Sequence, residues 1–532
     1  MQKKLRILLP VISGILLSIP WLAPGYCSTL FFAFVPLLIA EEKTGKQKIA
    51  SENYAFFWPS FLTFLTWNLL STWWIAHVSL SGMLLVTFLN SLLMASVWWS
   101  RHLVGRKFGH ASSSFSLIVF WIAFEYLHHN WTLPWPWLSL GNGFANSVEL
   151  IQWYEYTGIL GGTFWILITN LLLYSAVRSY REASPFSKTV KQSVFAILSV
   201  ILPVLGSLVL YKSYAEKGDS LEVLVLQPNI DPYTEKFSID ADFQINKIVN
   251  LTKPNLTDST GLVVAPETCW PLLWEDSLLT QKHSLLPLTK IIQHFPKVSV
   301  MVGAITQGSI VGDSLFDVYN STLLVDSTLN IQISHKCILV NGVERMPFQS
   351  YFSFLNRYLL DLGGTRQSMT AGEKPSTFSV GEILKIGPVI CFESVFGAYC
   401  SQLVRNGSDL LVVITNDGWW RESAGSWQHF GYSRLRAVES RRTIVQSANT
   451  GISGIIDQRG NVIQRTGLNT YAAVKSPVRL NHELTFYVMN GDWIGRFSLL
   501  LSGLIAFYIL MHVNSEKAKK IRINSIVKIP NK

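Results

Sequence analysis

The sequence predicts a polytopic α-helical membrane protein of about eight spans with one layered α/β domain inserted before the last span. Three observations predict it. Long apolar runs fill the N-terminal part of the chain. Lys and Arg cluster in alternate connections between those runs. One contiguous stretch, 215–490, instead shows short apolar segments with polar punctuation. Hydrophobic residues make up 49% of the 532 residues and charged residues only 15%, with 19 Trp and 30 Phe. Soluble domains carry about 25% charged residues, so the shortfall excludes a disordered chain and argues against an ordinary soluble enzyme. Five Cys, few and odd in number, exclude a disulfide framework.

The apolar runs lie near 6–22, 28–40, 54–77, 81–100, 114–129, 158–178 and 191–211, with a last one near 492–513. A helix needs about 20 apolar residues to cross a bilayer, and most of these suffice. The first two are short. They read as a hairpin broken at Pro24 and Gly25, or as a signal peptide and an anchor, although Trp21, Leu22, Ala23 and Pro24 supply no good small-residue cleavage site.

Orientation follows from charge. The basic clusters are Lys3, Lys4 and Arg6; Lys43, Lys46 and Lys48; Arg101, Arg106 and Lys107; Arg178, Arg181, Lys188 and Lys191; and Lys517, Lys519, Lys520, Arg522 and Lys528. With eight spans all five fall on one side, the cytoplasm. Both termini are then inside and the inserted domain outside. The expected organisation is 1–214 for the N-terminal membrane helices, 215–490 for the extracytoplasmic domain, 491–514 for a C-terminal span and 515–532 for a basic cytoplasmic tail. The net charge of +10 then marks membrane topology and no nucleic-acid surface.

Within the insert, 221–229, 261–267, 298–306, 321–326, 386–393, 409–417 and 442–449 read as strands, several of them apolar on both faces. Segments 282–294 and 427–440 read as helices between them. Three strand ends carry unusual polar groups: Glu267 in Ala-Pro-Glu, Lys336 at the end of Ile-Ser-His-Lys, and Cys391 inside Val-Ile-Cys-Phe-Glu. A carboxylate can take the proton of a thiol, and an ammonium can stabilise both the thiolate and an oxyanion. Each residue alone also fits a structural role: a core Cys, a helix-capping Glu, a solvated Lys.

Taken in order, Glu, Lys and Cys at the ends of successive buried strands are similar to the nitrilase superfamily pattern. The wider setting resembles the apolipoprotein N-acyltransferase family of bacterial inner-membrane enzymes, over the whole chain. The resemblance rests on Gln-Pro-Asn-Ile at 227–230, Ile390-Cys391-Phe392-Glu393, Thr415-Asn416-Asp417-Gly418-Trp419-Trp420, Gln428-His429, Arg436-Ala437-Val438-Glu439 and Asn449-Thr450-Gly451-Ile452-Ser453. The departures are Asn341, Gly342 and Val343 before Glu344, where the family's Val-Pro-Phe-Gly-Glu loses its Pro and Phe but the spacing from Lys336 is kept, Phe392 where a Tyr is usual, and Phe237 where a Trp is common after Lys.

The resemblance implies an αββα nitrilase-like sandwich in the periplasm and an acyltransferase. Glu267 would be the general base, Lys336 the charge stabiliser and Cys391 the nucleophile. Glu344 would help hold Lys336, Glu393 would support the site, and the Phe392 backbone N–H would complete an oxyanion hole. The implied donor is a phospholipid, the sn-1 chain of phosphatidylethanolamine, and the implied acceptor a diacylglyceryl-cysteine apolipoprotein. A thioester on Cys391 would link the two half-reactions. No metal or organic cofactor and no nucleic acid is implied, and a monomer is expected.

Other features carry two readings each. Trp419, Trp420 and Trp427, with Phe237 and the apolar stripe Phe348, Tyr351, Phe352, Leu355, Tyr358 and Leu359, fit bilayer and acyl-chain contact as well as plain core packing. Motion of 345–365 as a lid is open. Cys269 and Cys337 are candidates for a disulfide, or two buried thiols. Glu125, in a membrane run, is a functional candidate or the mark of a span end. His429 pairs with a carboxylate or the substrate, or is structural. Two other functions compete: a membrane-tethered amidase with water as acceptor, and a polytopic transporter or scaffold with a degenerate outer domain. The eight-span part speaks against the first and the intact triad against the second.

Overall fold

A computed structural model describes residues 2–45, 56–236, 240–275, 287, 294–308, 317–346, 368–381 and 384–527. Phe237, most of the expected helix at 282–294 and the stripe at 348–360 lie outside the described residues.

Each apolar run becomes helical: α1 (Gln2–Leu22), α2 (Val35–Gly45), α3 (Phe57–Thr72), α4 (Leu80–Phe108), α5 (His110–His129), then a short α6 (Tyr154–Thr157), α7 (Ile159–Arg181) and α8 (Phe186–Ser213). Among the described residues five helices are long and apolar enough to cross a membrane: α1, α4, α7, α8 and the start of the C-terminal helix. The runs at 28–40 and 54–77 are shorter helices than their apolar content suggests. The first begins as a 3-10 turn at Cys27–Phe31, because Pro24 and Gly25, the latter at φ +96°, end α1. The second closes in a 3-10 turn at Trp73–His77, leaving α3 with 16 residues, about 24 Å at 1.5 Å per residue.

Two buried polar side chains tie this helical body together, each with partners of the kind an apolar setting requires. Glu125 accepts hydrogen bonds from Trp121 Nε1 (2.9 Å), the Leu140 backbone N–H (2.9 Å) and Thr163 Oγ1 (2.6 Å). It ties α5 to α7 and to the 3-10 turns of 136–150, which favours a structural role. Asn170 donates to the Leu30 carbonyl (2.7 Å) and accepts from the Phe34 N–H (2.8 Å).

The rest is a two-sheet sandwich. The first sheet runs β13 (Ala472–Leu480), β1 (Asp219–Gln227), β2 (Thr260–Val264), β4 (Ser299–Gln307), β5 (Val318–Val325), β6 (Ile331–His335), with β3 (Trp270–Trp274) also beside β4. The second runs β12 (Val462–Arg465), β11 (Gly454–Ile456), β10 (Thr443–Ala448), β9 (Leu410–Thr415), β8 (Leu384–Ile390), β7 (Phe378–Val380). Strands β1, β2 and β4 are mutually parallel, as are β8, β9 and β10. Both central trios are apolar on both faces, as parallel strands covered on both sides must be. Val223, Val225, Leu262 and Met301 of one sheet meet Ile386, Val412, Ile414 and Val445 of the other. Helix α9 (Ala241–Thr252) packs outside the first sheet. Helices α10 (Gly397–Arg405) and α11 (Ala424–Ser440) cover the second. Strand β13 has no apolar run to mark it, since Lys475, Ser476, Pro477 and Arg479 interrupt it, and it takes its place by antiparallel pairing with β1.

The α10–α11 layer continues into the helical body as one apolar cluster, which includes Val389, Leu403, Leu411, Leu435 and Val438 together with Trp21, Phe34, Trp137 and Ile151. Polar latches reinforce it. Gln428 of α11 accepts from Trp137 Nε1 (2.7 Å) and Trp74 Nε1 (3.2 Å) and donates to the carbonyls of Trp21 (2.9 Å) and Ser71 (3.0 Å). Tyr432 donates to the Trp137 carbonyl (2.6 Å) and accepts from Trp21 Nε1 (2.9 Å). Arg441 donates to Glu155 (2.7 Å) and Gln152 (2.6 Å). At the other end α12 (Phe486–Asn490) leads into α13 (Trp493–Val527), which continues unbroken from the apolar segment into the basic tail.

Candidate active site

Three strand ends converge. Glu267 follows β2 on a turn that crosses β4, where Gly303 donates to the Pro266 carbonyl (3.1 Å). Lys336 is the residue after β6, and its backbone N–H donates to the Asn320 carbonyl of β5 (2.8 Å). Cys391 follows β8 and starts a 3-10 turn, Cys391–Val395. It sits at φ +51°, a left-handed conformation unfavourable for a residue with a side chain and often found at functional sites.

Lys336 is 1% exposed. Its Nζ donates to Glu344 Oε1 (2.8 Å) and Glu267 Oε1 (3.2 Å). Asn320 Nδ2 donates to the same two oxygens, at 2.9 and 2.7 Å. Glu344 Oε2 accepts from the Val340 N–H (2.8 Å), so the 340–344 turn aims this carboxylate at the lysine. Sequence reasoning placed Glu344 beside Lys336 and missed Asn320. Asn320 carries no distinctive signal, being one polar residue beside Ser321 and Thr322 in β5.

Glu393 is fully buried and bridges two of the strand ends. One oxygen accepts from the Cys337 (2.6 Å) and Ile338 (3.1 Å) N–H groups, the other from the Ile390 N–H (2.8 Å). It thereby fixes the chain after Lys336 against the chain before Cys391. Phe392 stacks with Trp135, centroids 6.3 Å apart, and meets Phe396 edge-on at 5.1 Å, so the residue after the thiol is packed against the helical body.

Behind the thiol lies a buried polar chain. His429 Nδ1 pairs with Asp417 Oδ1 (2.9 Å), and Nε2 faces Ser394 Oγ (2.8 Å) and the Cys391 carbonyl (3.1 Å). Asp417 also accepts from Thr415 Oγ1 (2.6 Å). Of the readings open for His429, the carboxylate partner is the one found. Trp420 packs against Trp74, Trp137 and His429 at 4.7, 5.6 and 5.6 Å. Trp419 meets Tyr233 at 5.3 Å, and Trp427 lies under the Arg465 guanidinium at 4.8 Å. All three tryptophans remain partly exposed.

Electrostatics assign the protons. Burial opposes the charge of Glu267, but Lys336, Asn320 and Lys236 outweigh it and hold the carboxyl below its ordinary range. Burial likewise opposes the charge of Lys336, and Glu267 and Glu344 hold that ammonium well above its ordinary range. Burial and the Glu267 charge push the Cys391 thiol well up, against Lys336 and Thr415. The resting set is therefore carboxylate, ammonium and neutral thiol, an arrangement able to supply a base, an electrophilic stabiliser and a nucleophile that needs deprotonation to attack. Burial pushes Glu393 up to about 7.

All five cysteines are described, and all are free thiols. Cys269 and Cys337 are therefore not joined. Among the described residues no group of three or more His, Cys, Asp and Glu side chains could hold a metal ion.

Comparison with known proteins gives two matches to family models: apolipoprotein N-acyltransferase N-terminal domain over residues 13–172, and carbon-nitrogen hydrolase over residues 225–478. The chain is 27% identical over 522 residues to an apolipoprotein N-acyltransferase of Chlorobaculum tepidum, covering 94% of this chain and 95% of that one. It is 28% identical to that of Thermotoga maritima, covering 97% and 96%. Among solved structures, Saccharomyces cerevisiae Nit3 of the nitrilase superfamily aligns at 13% identity with a TM-score of 0.38, over 53% of this chain and 96% of its own.

Proposed function

We propose that this chain, which belongs to the apolipoprotein N-acyltransferase family, moves an acyl chain from a phospholipid, with phosphatidylethanolamine sn-1 as the donor position, to the α-amine of a diacylglyceryl-cysteine at the N-terminus of an apolipoprotein. Cys391 Sγ attacks the ester carbonyl while Glu267 takes the thiol proton. Lys336 and the Phe392 backbone N–H stabilise the oxyanion of the tetrahedral intermediate. Collapse expels the lysophospholipid alkoxide, which recovers the proton from Glu267, and leaves a thioester on Cys391. The neutral acceptor amine then attacks the thioester, Glu267 takes a proton from it, and the departing Cys391 sulfur regains that proton as the amide forms. The scheme is ping-pong.

The observation that carries this reading is the union of the thiol turn with the helical body. Phe392 stacks on Trp135, and the core behind β8 runs without a break into the apolar helices. A site that draws both substrates from a bilayer needs that attachment, whereas hydrolysis of a soluble amide does not. The reading places the enzyme in the bacterial inner membrane as a monomer, with residues 215–490 in the periplasm and both termini in the cytoplasm.

The test is incubation of the purified protein with phosphatidylethanolamine and a diacylglyceryl-cysteinyl peptide, followed by mass spectrometry. Wild type is expected to carry an acyl adduct on Cys391 and to yield N-acylated peptide, and Cys391→Ala to do neither. Turnover to free fatty acid alone, or N-acylation by Cys391→Ala, overturns the transferase reading.

A further inference from the structure

A second buried lysine stands at the site, and the Glu–Lys–Cys set does not call for it. Lys236 lies in the segment that follows β1 and is 7% exposed. Its Nζ donates to Thr268 Oγ1, on the residue after Glu267, and Thr268 is itself held at φ +46°. The Lys236 carbonyl accepts from Gln244 Nε2 of α9 (2.7 Å). The loop is also pinned on the opposite side, where Tyr233 donates to the carbonyls of Trp419 (2.6 Å) and His77 (3.1 Å). The ammonium is thus built into the base's own turn.

Charge balance gives it work. Lys336 faces two carboxylates, Glu267 and Glu344, so that trio carries one uncompensated negative charge in a buried site. Such a charge favours proton uptake by one of the carboxylates. We propose that Lys236 is a positioning residue for the general base, and that its ammonium, held by Thr268, offsets this excess and keeps Glu267 ionised in the resting enzyme. The inference rests on Glu267 acting as base to Cys391.

The groups that face Glu267 are Lys336 from the end of β6, Asn320 from β5 and Lys236 from its loop, with Glu344 across Lys336. Those that face Cys391 are Glu267, Lys336, Lys236, Asp417 and Thr415, with His429 on its carbonyl. Lys236 also faces Cys269, whose thiol burial pushes to about 12, so that group stays neutral. Burial draws Lys236 down to about 8, which leaves it charged throughout the range in which a carboxylate titrates.

The test needs no acyl substrate. Alkylation of Cys391 by iodoacetamide in the full chain is followed by peptide mass from about pH 4 to 9 for wild type, Lys236→Met, Lys236→Arg and Glu267→Gln. The wild-type rate is expected to rise along an acid limb that Glu267→Gln abolishes. Lys236→Met should move that limb up by about one to two pH units, the effect of one neighbouring charge, so that alkylation on the limb slows at least about tenfold. Lys236→Arg, which keeps the charge, should restore it. If Lys236→Met does not fold, Lys236→Gln is measured in its place. A limb that stays put, or a uniform slowing at every pH, overturns this role for Lys236 alone. A limb that survives Glu267→Gln overturns Glu267 as base, and this inference with it.

Discussion

Placing one methyl group on Gly303 of β4 tests how tightly Glu267, the proposed general base, is held. A Cβ there would lie 2.6 Å from Glu267 Cα, 2.6 Å from the Pro266 oxygen and 2.7 Å from the Thr268 nitrogen. Carbon atoms pack at about 3.5 Å or more, so the turn must retreat by about 0.9 Å. Every obstructing atom is backbone, and no rotamer change relieves the clash. A displacement of about 1 Å at a reacting group costs about 100-fold in rate, and overpacking costs about 1–3 kcal/mol of stability. Gly303→Ala is therefore expected to slow formation of the Cys391 acyl adduct from phosphatidylethanolamine about 100-fold, read by single-turnover mass spectrometry, in protein that still folds. Gly261→Ala in β2 is the control. Its Cβ would meet Leu221 Cδ1 at 2.4 Å, the end of a flexible side chain that can swing away, and the rate should change less than about threefold. Acylation at the wild-type rate by Gly303→Ala, or an equal loss in Gly261→Ala, would refute the reasoning.

Two further outcomes follow from buried polar contacts. Gln428→Leu removes both acceptor and donor from the latch to Trp74, Trp137, Trp21 and Ser71. Buried groups left without partners cost about 1–3 kcal/mol each, so thermal unfolding in detergent should show a loss of about 3 kcal/mol or more; an unchanged transition would deny the latch its role. His429 concerns pH. Burial opposes its charge, but Asp417 holds its pKa above the ordinary value. A raised folded pKa stabilises fully below the unfolded value of about 6.5 and loses that contribution as pH rises through the folded value. Asp417→Asn should lower stability below about pH 6.5 and flatten the decline above it. A wild-type profile and an Asp417→Asn profile of the same slope would count against a charged His429.

Part of the site was legible because Glu267 and Cys391 follow apolar strands that are mostly buried, where a titratable group stands out; Lys336 follows the half-buried, partly polar β6. Glu344 and Glu393 were placed by resemblance, and their partners are backbone N–H groups and Lys336. Asn320 and Lys236 were less legible. An amide in a strand and a lysine in a loop are ordinary residues until the fold sets them beside Glu267. The pairing of Gln428 with four residues hundreds of positions away has no local signature at all.

The sequence by itself determined where apolar segments lie, which connections between them carry the basic residues, and which three strand ends hold a carboxylate, a cation and a thiol, because periodicity, composition and residue chemistry are local properties of the chain. It did not determine how long the helices at 28–40 and 54–77 would be, since backbone breaks set a helix's length and apolar content alone does not. Only the tertiary structure decided that the thiol turn shares one core with the helical body, that Glu393 locks two strand ends together, and that the charges around Lys336 are set against a second ammonium. Those are distances between residues far apart in sequence, and they arise when the two sheets close on each other and α11 docks against the helices.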